Sequence, residues 1–122
     1  MNKVFLSIIS VVIFISCQSK VANLDGLDSQ KFKKDVGNCR EYRLSVLDTI
    51  VSQKSKIYQM REVNLKKILG RADEMNLNQR STKVFLYRTL LSQPCDSTKV
   101  YSALAVELDA LGRVGLVYLL PN

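Results

Sequence analysis

Apolar residues follow three spacing regimes along this chain. Val4 to Ser16 is an uncharged run in which only Ser7, Ser10 and Ser16 interrupt large aliphatic and aromatic side chains. From about residue 29 to residue 70 apolar residues recur at helical spacing. Asp28 or Ser29 is placed to cap a short helix over Gln30 to Val36, with Phe32 and Val36 on one face. Gly37-Asn38 interrupts it. A longer helix is predicted from Cys39 to Gln53, where Leu44, Leu47 and Val51 form a stripe that Val46 and Ile50 widen. Arg40, Glu41, Arg43, Ser45, Asp48 and Ser52 fall largely outside that stripe. Lys54 to Gln59 reads as a linker, and Met60 to Leu69 as a helix burying Leu65, Ile68 and Leu69. Gly70 is its natural stop in a left-handed conformation.

After Gly70 the polar stretch Arg71 to Ser81 reads as a loop. Beyond it the spacing changes to that of strands. Thr82 to Leu91 is rich in Val, Phe, Leu and Tyr and ends near the breaker Pro94. In Val100 to Leu108, Val100, Ser102, Leu104, Val106 and Leu108 share one face, and Tyr101, Ala103, Ala105 and Glu107 the other. Asp109-Ala110-Leu111-Gly112 makes a tight turn into a third strand, Arg113 to Leu120. Helices first and strands after predict an α+β fold: a two-layer sandwich with N-terminal helices packed on a three-stranded antiparallel meander. The sheet face away from the helices is a candidate binding surface, because two strands look apolar on both sides near their ends.

The first apolar run now takes on meaning. Lys3 puts a positive charge before it, and at thirteen residues it is shorter than the roughly 20 a spanning helix needs. It suits the core of a secretory signal. Phe14-Ile15-Ser16-Cys17 resembles the lipobox of bacterial lipoproteins, with Phe14 where Leu or Val is usual. That resemblance implies cleavage before Cys17 and acylation of its thiol. The alternatives are an uncleaved anchor or a buried core strand, and the polar Gln18-Ser19-Lys20 that follows at once argues against a strand. Two acyl chains suffice for stable anchoring, since each buried methylene contributes about 0.8 kcal/mol. The expected organisation is a signal peptide over residues 1–16, a lipidated tether over 17–30 and one α+β domain over 31–122.

Charge is unevenly spread. Residues 31–71 carry eleven Lys or Arg against Asp35, Glu41, Asp48 and Glu62, whereas residues 72–122 carry five of each sign. The basic half suits anionic lipid headgroups or an acidic partner; a solvated helical face is the plainer alternative. Nucleic acid is not an expected partner, because no aromatic-basic binding motif is present. With Cys17 lipidated, Cys39 and Cys95 remain as an even pair in an oxidising compartment. They form either a disulfide, worth about 4 kcal/mol in the chain-entropy model, or two separate buried thiols.

Candidate chemistry is sparse. The sequence contains no histidine, which removes the commonest general base, triad partner and metal ligand. No Cys-x-x-Cys, phosphate-binding glycine loop, Gly-x-Ser-x-Gly or Asp-rich calcium loop occurs, so no metal or cofactor is expected. Carboxylate pairs remain as acid–base candidates: Asp35 with Glu41, Asp73 with Glu74, and Glu107 with Asp109. Adjacent charges of this kind are usually solvated. Asp35, Arg40 and Arg43, beside Cys39, form the densest polar cluster. It reads either as an ion pair fixing a helix junction or as an anion site at a helix start. The tyrosines Tyr42, Tyr58, Tyr87, Tyr101 and Tyr118 read as core and rim residues.

One longer pattern stands out. Lys31-Phe32-Lys33-Lys34-Asp35 leads to Asn38-Cys39-Arg40-Glu41-Tyr42-Arg43, then to Leu65-Lys66-Lys67-Ile68-Leu69-Gly70-Arg71-Ala72-Asp73. Val84-Phe85-Leu86-Tyr87 and Leu104 to Val114, with Asp109-x-x-Gly112-x-Val114 at the turn, complete it. This resembles the small outer-membrane lipoproteins of the SmpA/OmlA (BamE-like) group and the wider β-lactamase-inhibitor-protein-like fold. Ala72 stands where those chains carry proline. The resemblance implies a helix-on-sheet domain, a periplasm-facing outer-membrane location and a role through protein contacts. The expected function is that of a non-enzymatic protein-binding or scaffold module in outer-membrane assembly or integrity, held to the membrane through Cys17, with an envelope protein as partner. An inhibitor-like or ligand-capturing periplasmic lipoprotein is the alternative.

The cysteine expectation is directly testable. Alkylation of the unfolded, unreduced protein should leave both Cys39 and Cys95 unmodified; labelling of both thiols without prior reduction excludes the bridge.

Overall fold

The helical spacing before residue 70 and the strand spacing after it are both realised in the computed structural model, which describes residues 23–36, 39–89 and 101–121. Four helices come first: α1 (Ser29–Lys34), α2 (Glu41–Ser52), α3 (Lys54–Ile57) and α4 (Glu62–Leu69). Four strands follow: β1 (Glu74–Leu77), β2 (Lys83–Arg88), β3 (Tyr101–Leu108) and β4 (Val114–Pro121). They form one antiparallel sheet in chain order, with helices in contact with it. The fold is α+β, as expected, with four strands in place of three.

Asp28 caps α1, its carboxylate accepting from the backbone N–H groups of Gln30 and Lys31. The helix stops at Lys34, two residues short of Val36, which is exposed rather than paired with buried Phe32. Gly37-Asn38, the predicted interruption, lies outside the described residues. Lys54 to Gln59 is not a plain linker. It forms α3 and buries Ile57 completely, a single anchor too brief to show a period. In α4 the buried side chains are Leu65, Ile68 and Leu69, as the spacing predicts.

The strand β1 replaces part of the predicted loop. Its four residues pair with Leu86 back to Lys83, yet every one of them is exposed. An edge strand with no buried side leaves little hydrophobic alternation to read. The bulge near Glu107 and Leu108 and the Asp109 turn set the register of β3 against β4. Asp109 accepts from the backbone N–H groups of Leu111 and Arg113, which closes that turn.

One core joins helices and sheet: Phe32, Val46, Leu47, Ile50, Leu65 and Leu69 pack with Phe85, Tyr87, Leu104, Val106 and Leu108. Leu24 belongs to it too, and Asp25 exchanges hydrogen bonds with Gln53, so the end of the expected tether packs on α2. On the opposite sheet face Val84, Leu86 and Ala105 are buried with partly buried Tyr118 and Leu120, so that face is not an open surface at its centre.

Gly70 ends α4 with φ +77° and ψ −166°, a region that only glycine occupies readily. A methyl group there would meet the Lys33 side chain at 2.8 Å. Gly112 also has positive φ, but its methyl would meet open space. Gly70→Ala should therefore cost about 1–3 kcal/mol in urea denaturation, and Gly112→Ala about 1–2 kcal/mol, from its left-handed backbone alone.

Candidate functional site

The helical stripe predicted for residues 39–53 turns toward an unexpected side chain. α2 buries Arg43, Val46, Leu47 and Ile50, while Leu44 and Val51 are only partly buried. Arg43 is 2% exposed and Arg40, just before the helix, 6%. Such burial of cations is tolerated only with a paired counter-charge.

Asp73, at the approach to β1, supplies it. One carboxylate oxygen lies 2.6 Å from Arg40 Nη1 and the other 2.9 Å from Arg43 Nη1. The second oxygen also accepts the backbone N–H of Arg88 at 2.7 Å. Arg43 spreads its remaining donors over the carbonyls of Phe32 and Arg88, and its guanidinium sits 4.8 Å from the Phe32 ring centre. Tyr87 packs on the same Phe32 ring and donates its hydroxyl to the Gly70 carbonyl. Burial pushes the Tyr87 phenol well above its ordinary value. Burial also works to raise the Asp73 carboxyl, but the Arg40 and Arg88 hydrogen bonds and both guanidinium charges outweigh it and leave it lowered. For Arg43 burial dominates in the downward direction, with Asp73 opposing it.

Asp35 plays a different part from the one expected. Its carboxylate accepts the backbone N–H of Arg43 at 3.0 Å, capping the first turn of α2, whose own cap residue Arg40 provides no side-chain bond. The helix start that read as an anion site thus receives a carboxylate of the same chain. Asp35, Arg40 and Arg43 do come together, with Asp73 as the acid. Asp73 was legible only as half of an adjacent carboxylate pair; a single acid just after a helix stop gives no hint of a cation from another helix.

Two of the other acid–base candidates are likewise engaged. Glu74 pairs with Arg88, and Asp109 holds its turn. Cys39 is disulfide-bonded. Cys95, its expected partner, and Cys17 lie outside the described residues. No cluster of three or more metal-ligating side chains occurs among the described residues, and none of their helices is long and apolar enough to cross a membrane.

A second feature lies at the opposite strand ends. The segment before α4 pairs with the start of β4: Gln59 and Glu62 donate to the carbonyls of Val114 and Gly112, and Val114 donates to Met60. A groove of about 380 Å³ opens beside it, between α3 and β4, lined by Lys54, Ser55, Tyr58 and Val114 to Val117. Of the tyrosines, Tyr58 is exposed here, whereas Tyr42 donates nothing to this end and instead accepts the Asp28 N–H. Comparison of the chain with protein families, with characterised proteins and with solved structures finds no match.

Asp73→Asn removes the counter-charge paired with buried Arg43 and should cost about 3 kcal/mol or more in urea denaturation. Glu74→Gln removes only an exposed partner and should cost about 0.5 kcal/mol. Because the folded-state value of Asp73 is depressed, its stabilisation is complete above the ordinary aspartate value of 3.8 and is lost as pH falls through the lower, folded value. Acid titration of wild type should show that loss, and Asp73→Asn should lack it.

Proposed function

We propose that this chain is a lipid-anchored, non-enzymatic binding module of the cell envelope, fastened through Cys17 to the outer membrane and facing the periplasm. Its frame in this reading is a two-layer sandwich with helices on one sheet face. The observation that carries the proposal is the N-terminal sequence itself: Lys3, an uncharged run over residues 4–16, and Phe14-Ile15-Ser16-Cys17. The pattern shared with the SmpA/OmlA group supports a role through protein contacts in outer-membrane assembly or integrity.

A non-catalytic role is supported by the chemistry of the side chains. The sequence has no histidine. At least one member of each carboxylate pair holds the fold together: Asp35 on α2, Asp73 between two arginines, and Asp109 in its turn. A carboxylate fixed by such contacts is poorly placed to exchange protons with a substrate. The groove between α3 and β4 supports the second reading, an inhibitor-like or ligand-capturing lipoprotein.

Wild-type protein should fractionate with membranes and carry an acylated Cys17 as its first residue. Cys17→Ala should stay unprocessed or become soluble; unchanged fractionation of that variant defeats the anchor. Gentle solubilisation of the anchored form should yield an envelope protein in fixed stoichiometry. Recovery of a small molecule with no protein would favour ligand capture.

A further inference from the structure

Among the described residues, four of the seven large exposed apolar side chains lie around the corner where α3, the start of α4 and the β3–β4 turn meet: Tyr58, Val63, Leu111 and Leu116. Leu111, on the β3–β4 turn, is 80% exposed. At the same place a pair of like charges lines an open groove together with Glu62, Val63, Leu111 and Gly112. Arg61 and Arg113 face each other across an antiparallel bridge. The bonds flanking it, Glu62 N–H to Gly112 and Val114 N–H to Met60, make this a non-hydrogen-bonded pair, the type in which side chains approach most closely. Like charges in that position oppose each other. No ion pair with either guanidinium occurs among the described residues. The nearest acids in sequence are committed elsewhere, Glu62 to Lys66 and Lys83, and Asp109 to backbone N–H groups of its own turn.

We infer that the Arg61–Arg113 pair is a docking site for an acidic segment of another protein. A carboxylate of that segment lies between the guanidinium groups, and apolar side chains on either side of it enter the two grooves. One groove is lined by Tyr58, Val114, Leu116 and Val117, the other by Val63 and Leu111 together with Glu62 and the two arginines themselves, each about 380 Å³. Arginine suits this role because its planar fork matches a carboxylate with two bonds. A protein segment fits better than a membrane surface, because part of the apolar lining, Val114 and Val117 in one groove, is buried below the exposed side chains around it. Side chains fill such recesses; a flat headgroup layer does not. The inference rests on the protein-binding reading above and names its surface.

The test places a photo-crosslinking amino acid singly at Val63, Leu111 and Met75 in the full-length protein in its native membranes. Met75 is an exposed apolar position on β1, at the opposite edge of the sheet from β4. Adducts at Val63 and Leu111 should map by mass spectrometry to a peptide rich in Asp or Glu with apolar neighbours. Their yield should fall about tenfold with Arg61→Glu and Arg113→Glu together. That double change keeps a like-charge pair, so an unaltered thermal melt should verify the fold. Adducts to phospholipid, or yields unmoved by charge reversal, overturn the site. Protein adducts only at Met75 overturn it while leaving the binding reading intact, and no protein adduct at any position overturns both.

Discussion

A single carboxylate between two buried guanidinium groups constrains most of this molecule. Asp73 lies at the end of the helical half and receives the Arg88 backbone of β2 as well as Arg40 and Arg43. An unpaired cation in a core costs several kcal/mol. Arg43 therefore stays inside only while α2 presents the face that reaches Asp73. That requirement sets which residues of α2 are buried, where β1 begins, and how the helices meet the sheet. Asp35 and the Phe32 and Arg88 carbonyls take up the neighbouring donors, so the charges are buried in a hydrogen-bonded setting.

What could be read from the sequence divides along the same physical line. Leu65, Ile68 and Leu69 were legible because an isolated amphipathic helix displays its buried face as a period. Leu104, Val106 and Leu108 were legible because large apolar side chains alternate with smaller or polar ones along β3, although Ala103 and Ala105 are buried on the other face as well. β1 was not, since an exposed edge leaves no such imprint, and α3 was not, since it contributes one buried side chain. Arg43 was misplaced because a lone arginine on a helix looks solvated until its acid is found, and that acid lies beyond another helix. The site residues behave alike: Arg40 and Arg43 were visible as a cluster, but the Arg61–Arg113 pairing arises only when β4 returns beside α4.

Under the proposed reading, location and binding are written in separate parts of the chain. The first seventeen residues would carry the address, as a charge, an apolar run and a cysteine. In the described part, carboxylates are largely spent on helix starts, turns and cations, and large exposed apolar side chains lie around two like charges.

The strand order has a consequence for how the chain reaches its native state. Because the sheet runs in sequence order, each pairing joins consecutive strands and no crossing has to be threaded. Such local topology lowers the entropic barrier to folding. Docking of α2 is another matter, because Arg43 must shed its water before it gains Asp73. The expected sequence of events is therefore an early hairpin-built sheet, with helix docking as the slower, committing step.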